Sequence, residues 1–220
     1  DEPKSKAVPA ALRPAVVPKQ HYADLMVVFN GGFKSRHGQY GMMLAGQQFV
    51  PPRQDACGVG MAKDGALTIA PWKQLAPGAT ALRWWRQTPP CLLSAGVREP
   101  RINAIPKRWG VSAKSELDIR RSAIGLDKSG RTMFYAFGDW LSAAQLADAL
   151  KHVGVWHAAQ LDINWSYTRF FLYETPAAGA TPTIARTIIP KLKFNRQRYT
   201  LKRAYRDFFY VTARPVATAP

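Results

Sequence analysis

Short runs of β-forming apolar residues recur along the chain between polar and glycine turns, and this predicts a sheet-rich fold. Residues 22–29 (YADLMVVF) are dense in β-forming side chains and stop at Asn30-Gly31-Gly32. Residues 41–44 and 47–50 predict a hairpin turning at Ala45-Gly46. Residues 57–63 and 66–70 flank Asp64-Gly65, a strong two-residue hairpin signal. Residues 82–87 and 91–93 predict two more strands, and the basic stretch 98–114, broken by Pro100 and Pro106, predicts a loop.

A third hairpin is expected from residues 122–126 and 132–137 around Lys128-Ser129-Gly130. The pattern then switches to a helical period. Ser142 with Gln145 three positions later forms a capping box, Leu146, Leu150 and Val153 follow at i, i+4 and i+7, and Gly154 supplies the stop. Residues 158–162 and 169–173 return to strand, as do 187–189 and 207–212. One helix among many hairpins predicts an α+β class with a mixed, largely antiparallel sheet.

Residues 1–20, rich in Pro, Ala and Lys without a hydrophobic period, read as a tail or linker lying on the surface or on a partner. A chain of 220 residues with 47% hydrophobic content suits one large domain, expected over 21–214. No apolar run is long enough to span a membrane as a helix. The start at Asp1 suggests a processed chain.

Formal net charge is +17. Such a balance favours anionic partners and bears little on fold. The charge concentrates near the C-terminus, where Arg186, Lys191, Lys193, Arg196, Arg198, Lys202, Arg203, Arg206 and Arg214 are opposed only by Asp207. The 186–206 segment is either a solvated face or a docking surface for an anionic polymer or a protein. Nucleic acid is disfavoured as that polymer, because no reader motif or zinc spacing is present. Cys57 and Cys91 allow one disulfide, which would fit an exported protein, while two reduced thiols would fit a cytosolic one.

Three segments, in order, carry a resemblance. They are Phe29-Asn30-Gly31-Gly32-Phe33, then Arg121-Ser122-Ala123-Ile124-Gly125-Leu126-Asp127 with Gly130, then the helix followed by Gln160-Leu161-Asp162. Together they resemble the phosphodiester glycosidase family over roughly residues 22–173. The resemblance implies that fold, an exported location (periplasm, cell envelope or extracellular), and hydrolysis of a sugar-phosphate phosphodiester in an envelope or capsular glycan. It also implies Asp162, Arg121 and Asn30 as catalytic residues, with Gly31, Gly32, Ser122, Asn164, Trp165 and Ser166 around the substrate. The chain departs from the family after Asp162. Ile163-Asn164-Trp165-Ser166-Tyr167 stands where the family has a glycine-rich run, and Lys34 replaces a second Phe. The alternative is a family member without turnover that acts as a binding or structural protein of the envelope.

Cleavage at a sugar-phosphate bond releases a phosphomonoester, a good leaving group with a second pKa of about 6. The site therefore needs cations for the phosphate and a carboxylate near the anomeric carbon. Arg121 suits the first task, Asp162 the second as base or nucleophile, and Asn30 could orient the ligand through its amide. Asp139 and Glu174 are candidate second carboxylates by position. A divalent cation bridging Asp162 and phosphate would be compatible, though His21, His37, His152 and His157 lack metal-ligand spacing.

Each of these residues also has a structural reading. Asn30-Gly31-Gly32 can be a turn requiring positive φ. Arg121 can be a solvated or salt-bridged strand residue, with Arg120 on the opposite face. Asp162 can cap the next turn. His152 fits a surface position in the last helical turn, and His37 could reach a pocket. Trp84, Trp85 and Trp109 fit a core or pocket wall, and Trp165, beside Asp162, is the best candidate for stacking on a sugar.

Overall fold

The computed structural model describes residues 8–213 apart from Ala178. Arg214 and residues 1–7 lie outside the described residues. The chain is α+β, with antiparallel strands dominating. It divides into two compact units. One comprises Pro9–Gly31 with the segment from Arg169 onward, and the other is built on Gly32–Thr168.

The first unit is a four-stranded antiparallel sheet in the order Thr183–Thr187, Phe170–Glu174, Leu25–Asn30, Phe208–Thr212. Leu25 and Val28 face a core with Phe171, Ile184, Tyr199 and Ala204. The expected N-terminal tail is partly inside this core. Val17 is fully buried in it, and its N–H donates to the Tyr199 carbonyl at 2.7 Å. The Ala204 N–H donates to the Ala15 carbonyl, and Arg203 donates to the carbonyls of Arg13 and Pro14. Composition hid this, because Val8 and Val17 are isolated buried positions in a proline- and alanine-rich segment with no hydrophobic period.

The second unit carries two five-stranded antiparallel sheets. One runs Gln47–Val50, Met42–Leu44, Leu82–Thr88, Cys57–Ala62, Leu67–Pro71, and the other Met133–Leu141, Ile119–Leu126, His157–Gln160, Leu93–Ser94, Val97–Arg98. The hairpins at Ala45-Gly46 and Asp64-Gly65 form as expected, with positive φ at Ala45, Gly46 and Gly65. A one-turn helix, Trp72–Leu75, follows Pro71 and seats Trp72 and Leu75 against Met43 and Trp85. Four residues are too few to show a helical period.

The longer helix spans Ala143–His152, and both hydrogen bonds of the Ser142/Gln145 capping box are present. Its buried face is Ala143, Leu146, Ala147 and Leu150. The two leucines each contribute about 1.5–3 kcal/mol by burial. Val153, expected on that face, is instead the exposed C-cap. Near the C-terminus the strand is Thr183–Thr187 rather than 187–189. Ile184 is its buried anchor, and the register against Phe170–Glu174 places it there.

Cys57 and Cys91 form the disulfide, with Cα atoms 4.7 Å apart. The bridge ties the start of Cys57–Ala62, in one sheet, to the segment entering Leu93–Ser94 in the other.

Candidate functional site

In the first unit, Asn30 ends its strand and is buried. Its Oδ1 accepts from the Arg169 N–H at 3.0 Å, and its Nδ2 donates to the Gly31 carbonyl at 3.1 Å. The Gly31 N–H donates to the Asp207 carbonyl. Neither Gly31 nor Gly32 has a positive φ, so the corner is not the turn one would first assume. These glycines allow close approach. A Cβ on Gly31 would lie 2.1 Å from Asp207 Oδ2 and 2.8 Å from the Asp207 carbonyl oxygen. Asp207 is thus a carboxylate against the Asn-Gly corner. It is 177 positions after Asn30 in the numbering, and nothing in local sequence couples them.

In the second unit, Gly32 serves the same purpose toward a cation. A Cβ there would lie 3.1 Å from the Arg86 guanidinium. Arg86 is buried and donates to the carbonyls of Phe33, Tyr40 and Gln87. Lys34 is half-buried and His37 exposed in the turn that follows.

Arg120 and Arg121 lie in strand Ile119–Leu126 and, as strand neighbours, face opposite ways. Arg121 is 1% exposed. Its Nε donates to the Leu141 carbonyl at 2.8 Å, Nη1 to the Trp109 carbonyl at 2.7 Å and Gln160 Oε1 at 2.9 Å, and Nη2 to the carbonyls of Leu117 at 2.8 Å and Gly110 at 3.3 Å. Burial pushes its pKa down to about 10, which leaves it charged at neutral pH. This is neither a solvated nor an ion-paired strand arginine. It is a framework cation that gathers the 109–117 loop, the end of strand Met133–Leu141 and Gln160 onto one strand.

Ser122 and Asp162 are brought together. The Ser122 hydroxyl donates to the Asp162 carbonyl at 2.8 Å, and the Leu161 N–H to the Ser122 carbonyl. The Asp162 side chain is buried, and its Oδ1 accepts from the Asn164 N–H at 2.9 Å. Asn164 Oδ1 in turn accepts from the Ser166 N–H, and the Asn164 carbonyl accepts from the N–H groups of Tyr167 and Thr168. The segment after Asp162 is therefore a closed turn. Four of its N–H groups, which could otherwise face a phosphate, are engaged within the loop.

Arg120 faces the other side of the sheet from Arg121. Its Nε and Nη2 pair with Asp139 at 2.5 and 2.8 Å, and its guanidinium carbon lies 3.5 Å from the centroid of the Trp165 ring. Sequence reasoning had Asp139 as a candidate carboxylate and Trp165 as a stacking ring, but it missed Arg120 as the group joining them. The second candidate carboxylate, Glu174, lies in the first unit and pairs with Arg196 on the exposed surface. Trp85 and Trp109 are buried, and Trp109 Nε1 donates to the Pro90 carbonyl, a core role. His157 Nδ1 accepts from the Ala95 N–H, and burial lowers its pKa, so it is a neutral acceptor. Among the described residues, no group of three His, Cys, Asp or Glu side chains could hold a metal ion, and no helix is long and apolar enough to cross a membrane.

Among the described residues the elements define an α+β fold of antiparallel hairpins with one α-helix longer than a single turn. No family model and no curated protein matches the sequence. Among solved structures, the chain is similar to the zebrafish N-acetylglucosamine-1-phosphodiester alpha-N-acetylglucosaminidase catalytic domain, auto-inhibited by its pro-peptide. The TM-score is 0.56 at 18% identity, over 88% of this chain and 66% of that one. This is a likeness of fold, and the chain spans about two thirds of that structure's length. A hypothetical protein from Synechocystis aligns at a TM-score of 0.45 and 14% identity, over 66% of this chain and 47% of that one. The resemblance to the phosphodiester glycosidases thus holds at the level of fold.

Proposed function

We propose that this chain is a hydrolase of the phosphodiester glycosidase kind, cleaving the bond between a sugar anomeric carbon and a phosphate. The observation that carries the reading is the fold it shares, over 88% of its length, with a glycosidase acting on such a linkage. Asp162 is the carboxylate at the anomeric centre. In its base role it takes the proton of an incoming water as the water oxygen bonds to the anomeric carbon and the phosphomonoester departs with the bonding pair. In its nucleophile role the carboxylate forms that bond first and water then hydrolyses it. Ser122 fixes the backbone of Asp162. Asn164 and Ser166 offer side-chain polar groups beside it. Arg121 acts as a positioning residue, since its donors are held by the protein.

The disulfide supports an exported location, where such bridges persist. The exposed cations Arg186, Lys191, Lys193, Lys202 and Arg203 suit an anionic glycan of the envelope or capsule as the substrate's larger context.

The test is turnover of a chromogenic sugar-1-phosphodiester by wild type and Asp162→Asn, with and without divalent cations. Asparagine keeps the acceptor for the Asn164 N–H, so the loop should persist. Turnover is expected to drop by about a thousandfold in the variant, within the range for a lost general base or nucleophile. Absence of wild-type turnover across a panel of sugars, or full activity in Asp162→Asn, would sink the reading. The closed turn at 164–168 favours a second one, a binding or structural protein of the envelope. Sugar-phosphate binding without turnover would support that alternative.

A further inference from the structure

Trp165 is 59% exposed, yet it is held in place on several sides. Its backbone sits in the turn closed by the Asn164 carbonyl and the Asn164 side chain. One ring face is covered by the Arg120 guanidinium at 3.5 Å. Arg120 is itself fixed by the two-point pairing with Asp139, and its side chain is only 4% exposed. A tryptophan kept on the surface in a rigid setting loses little freedom on meeting a ligand. Its uncovered face is apolar and flat, the shape that the C–H face of a pyranose ring fits.

The cation beneath the ring has a second consequence. Asp139 takes Nε and Nη2, and Nη1 has no hydrogen-bond partner among the described residues. A guanidinium with limited water contact attracts an anion more strongly than a surface lysine does. Asp139 tempers its charge, and it also keeps the planar group from rotating away.

We propose that Trp165 and Arg120, braced by Asp139, form a binding subsite beside Asp162 for an anionic sugar. The pyranose face stacks on Trp165, and a phosphate oxygen meets Arg120 Nη1. This deepens the reading under Proposed function by naming the group that meets the phosphate, a task Arg121 cannot perform from its buried position. Asp139 is a positioning residue, because it acts through Arg120.

The test is calorimetric binding of N-acetylglucosamine 1-phosphate, with N-acetylglucosamine and inorganic phosphate as separate arms. Wild type, Trp165→Ala, Arg120→Lys and Asp139→Asn would be compared, with thermal unfolding as the check on folding. Trp165→Ala changes an exposed ring and is expected to fold. The sugar phosphate should bind wild type more tightly than either fragment. Trp165→Ala should weaken it about tenfold or more, the usual effect of removing an aromatic stacking face. Arg120→Lys should weaken the sugar phosphate and inorganic phosphate while leaving the neutral sugar unchanged. Asp139→Asn should change affinity less than Arg120→Lys does. Wild type that binds no sugar phosphate, or folded Trp165→Ala and Arg120→Lys that bind it as wild type does, would overturn the subsite. Turnover separates this outcome from the larger reading. Asp162-dependent hydrolysis with unaltered KM in Trp165→Ala removes the subsite and leaves the hydrolase. Binding lost in both variants, with no hydrolysis by wild type, leaves the subsite and removes the hydrolase.

Discussion

Arg120 and Arg121 are consecutive, and their guanidinium groups do opposite things. Arg121 turns inward and ties five protein acceptors together, whereas Arg120 turns outward to Asp139 and Trp165. The inward one is expected to control folding. Arg121→Ala would leave the carbonyls of Leu117, Leu141 and Gly110 short of a buried donor, each at about 1–3 kcal/mol. Such a loss is a large part of a domain's stability of about 5–15 kcal/mol. Arg121→Lys keeps the charge but cannot reach acceptors set around a planar fork. Denaturant unfolding should show Arg121→Lys destabilised by about 3 kcal/mol, from the acceptors a single ammonium leaves unmet, and Arg121→Ala poorly folded. Sugar-phosphate affinity per folded molecule of Arg121→Lys should stay at the wild-type value. A folded variant of normal stability with lost affinity would instead make Arg121 a ligand contact.

The glycine corner gives a second, graded expectation. Gly31→Ala would drive its Cβ against both the carboxylate and the backbone of Asp207. The backbone cannot rotate aside as a side chain can, so the segment must shift. Overpacking of this kind costs about 1–3 kcal/mol. Gly32→Ala meets only the end of the Arg86 side chain, at 3.1 Å, and should cost less. Thermal unfolding of the two variants would rank them. Equal stability, or Gly32→Ala as the worse of the two, would count against close approach as the reason for these glycines.

The contrast between these sites explains what could be read from the sequence. The Asp64-Gly65 hairpin and the Ser142/Gln145 cap depend on neighbours within a few residues, and the chain carries those signals locally. Strand Thr183–Thr187 has a single buried residue, Ile184, and is defined by its partner Phe170–Glu174. No local pattern marks it. The candidate site divides in the same way. Asp162 at a strand end beside Ser122 was legible from the order of elements. The burial of Arg121 was not, because it depends on which loop covers that face of the sheet, here residues 109–117. Alternation alone says that two arginines face apart, and only the cover decides which is held by backbone carbonyls and which meets a carboxylate and an exposed ring.

The disulfide is expected to matter for stability because it joins the two sheets of the second unit. Its sequence separation of 34 corresponds to about 3–4 kcal/mol in the loop-closure account. Urea unfolding of the Cys57→Ser/Cys91→Ser double variant should show a loss of that order, with a steeper slope because the unfolded chain is no longer held compact. Unchanged stability would mean that sheet packing alone holds the sheets together.

Alkaline pH should unfold the first unit through its buried tyrosines. Burial raises the pKa of Tyr173, Tyr199 and Tyr22 above the ordinary 10.0. The Tyr173 hydroxyl donates to the Arg198 carbonyl, and that of Tyr22 to the Thr200 carbonyl. Above pH 10 the unfolded chain loses these protons while the folded chain keeps them. The unfolded state then binds fewer protons, so stability falls as pH rises. Arg121 acts in the opposite sense, because its folded value of about 10 lies below the ordinary 12.5 and the folded state releases its proton first. Arg121 lies in the second unit, where Tyr40 is raised as well, so in the first unit the three tyrosines leave a net fall, whose onset is near pH 10 and whose stabilising share is complete below it. Tyr173→Phe removes one of the three. It should lower stability at pH 7 by about 1 kcal/mol through the lost hydrogen bond, yet flatten the decline above pH 10. Thermal midpoints against pH, followed together with tyrosinate absorbance, would check this. If all eight tyrosines ionise near pH 10 in protein that is still folded, burial does not hold these protons and the mechanism fails.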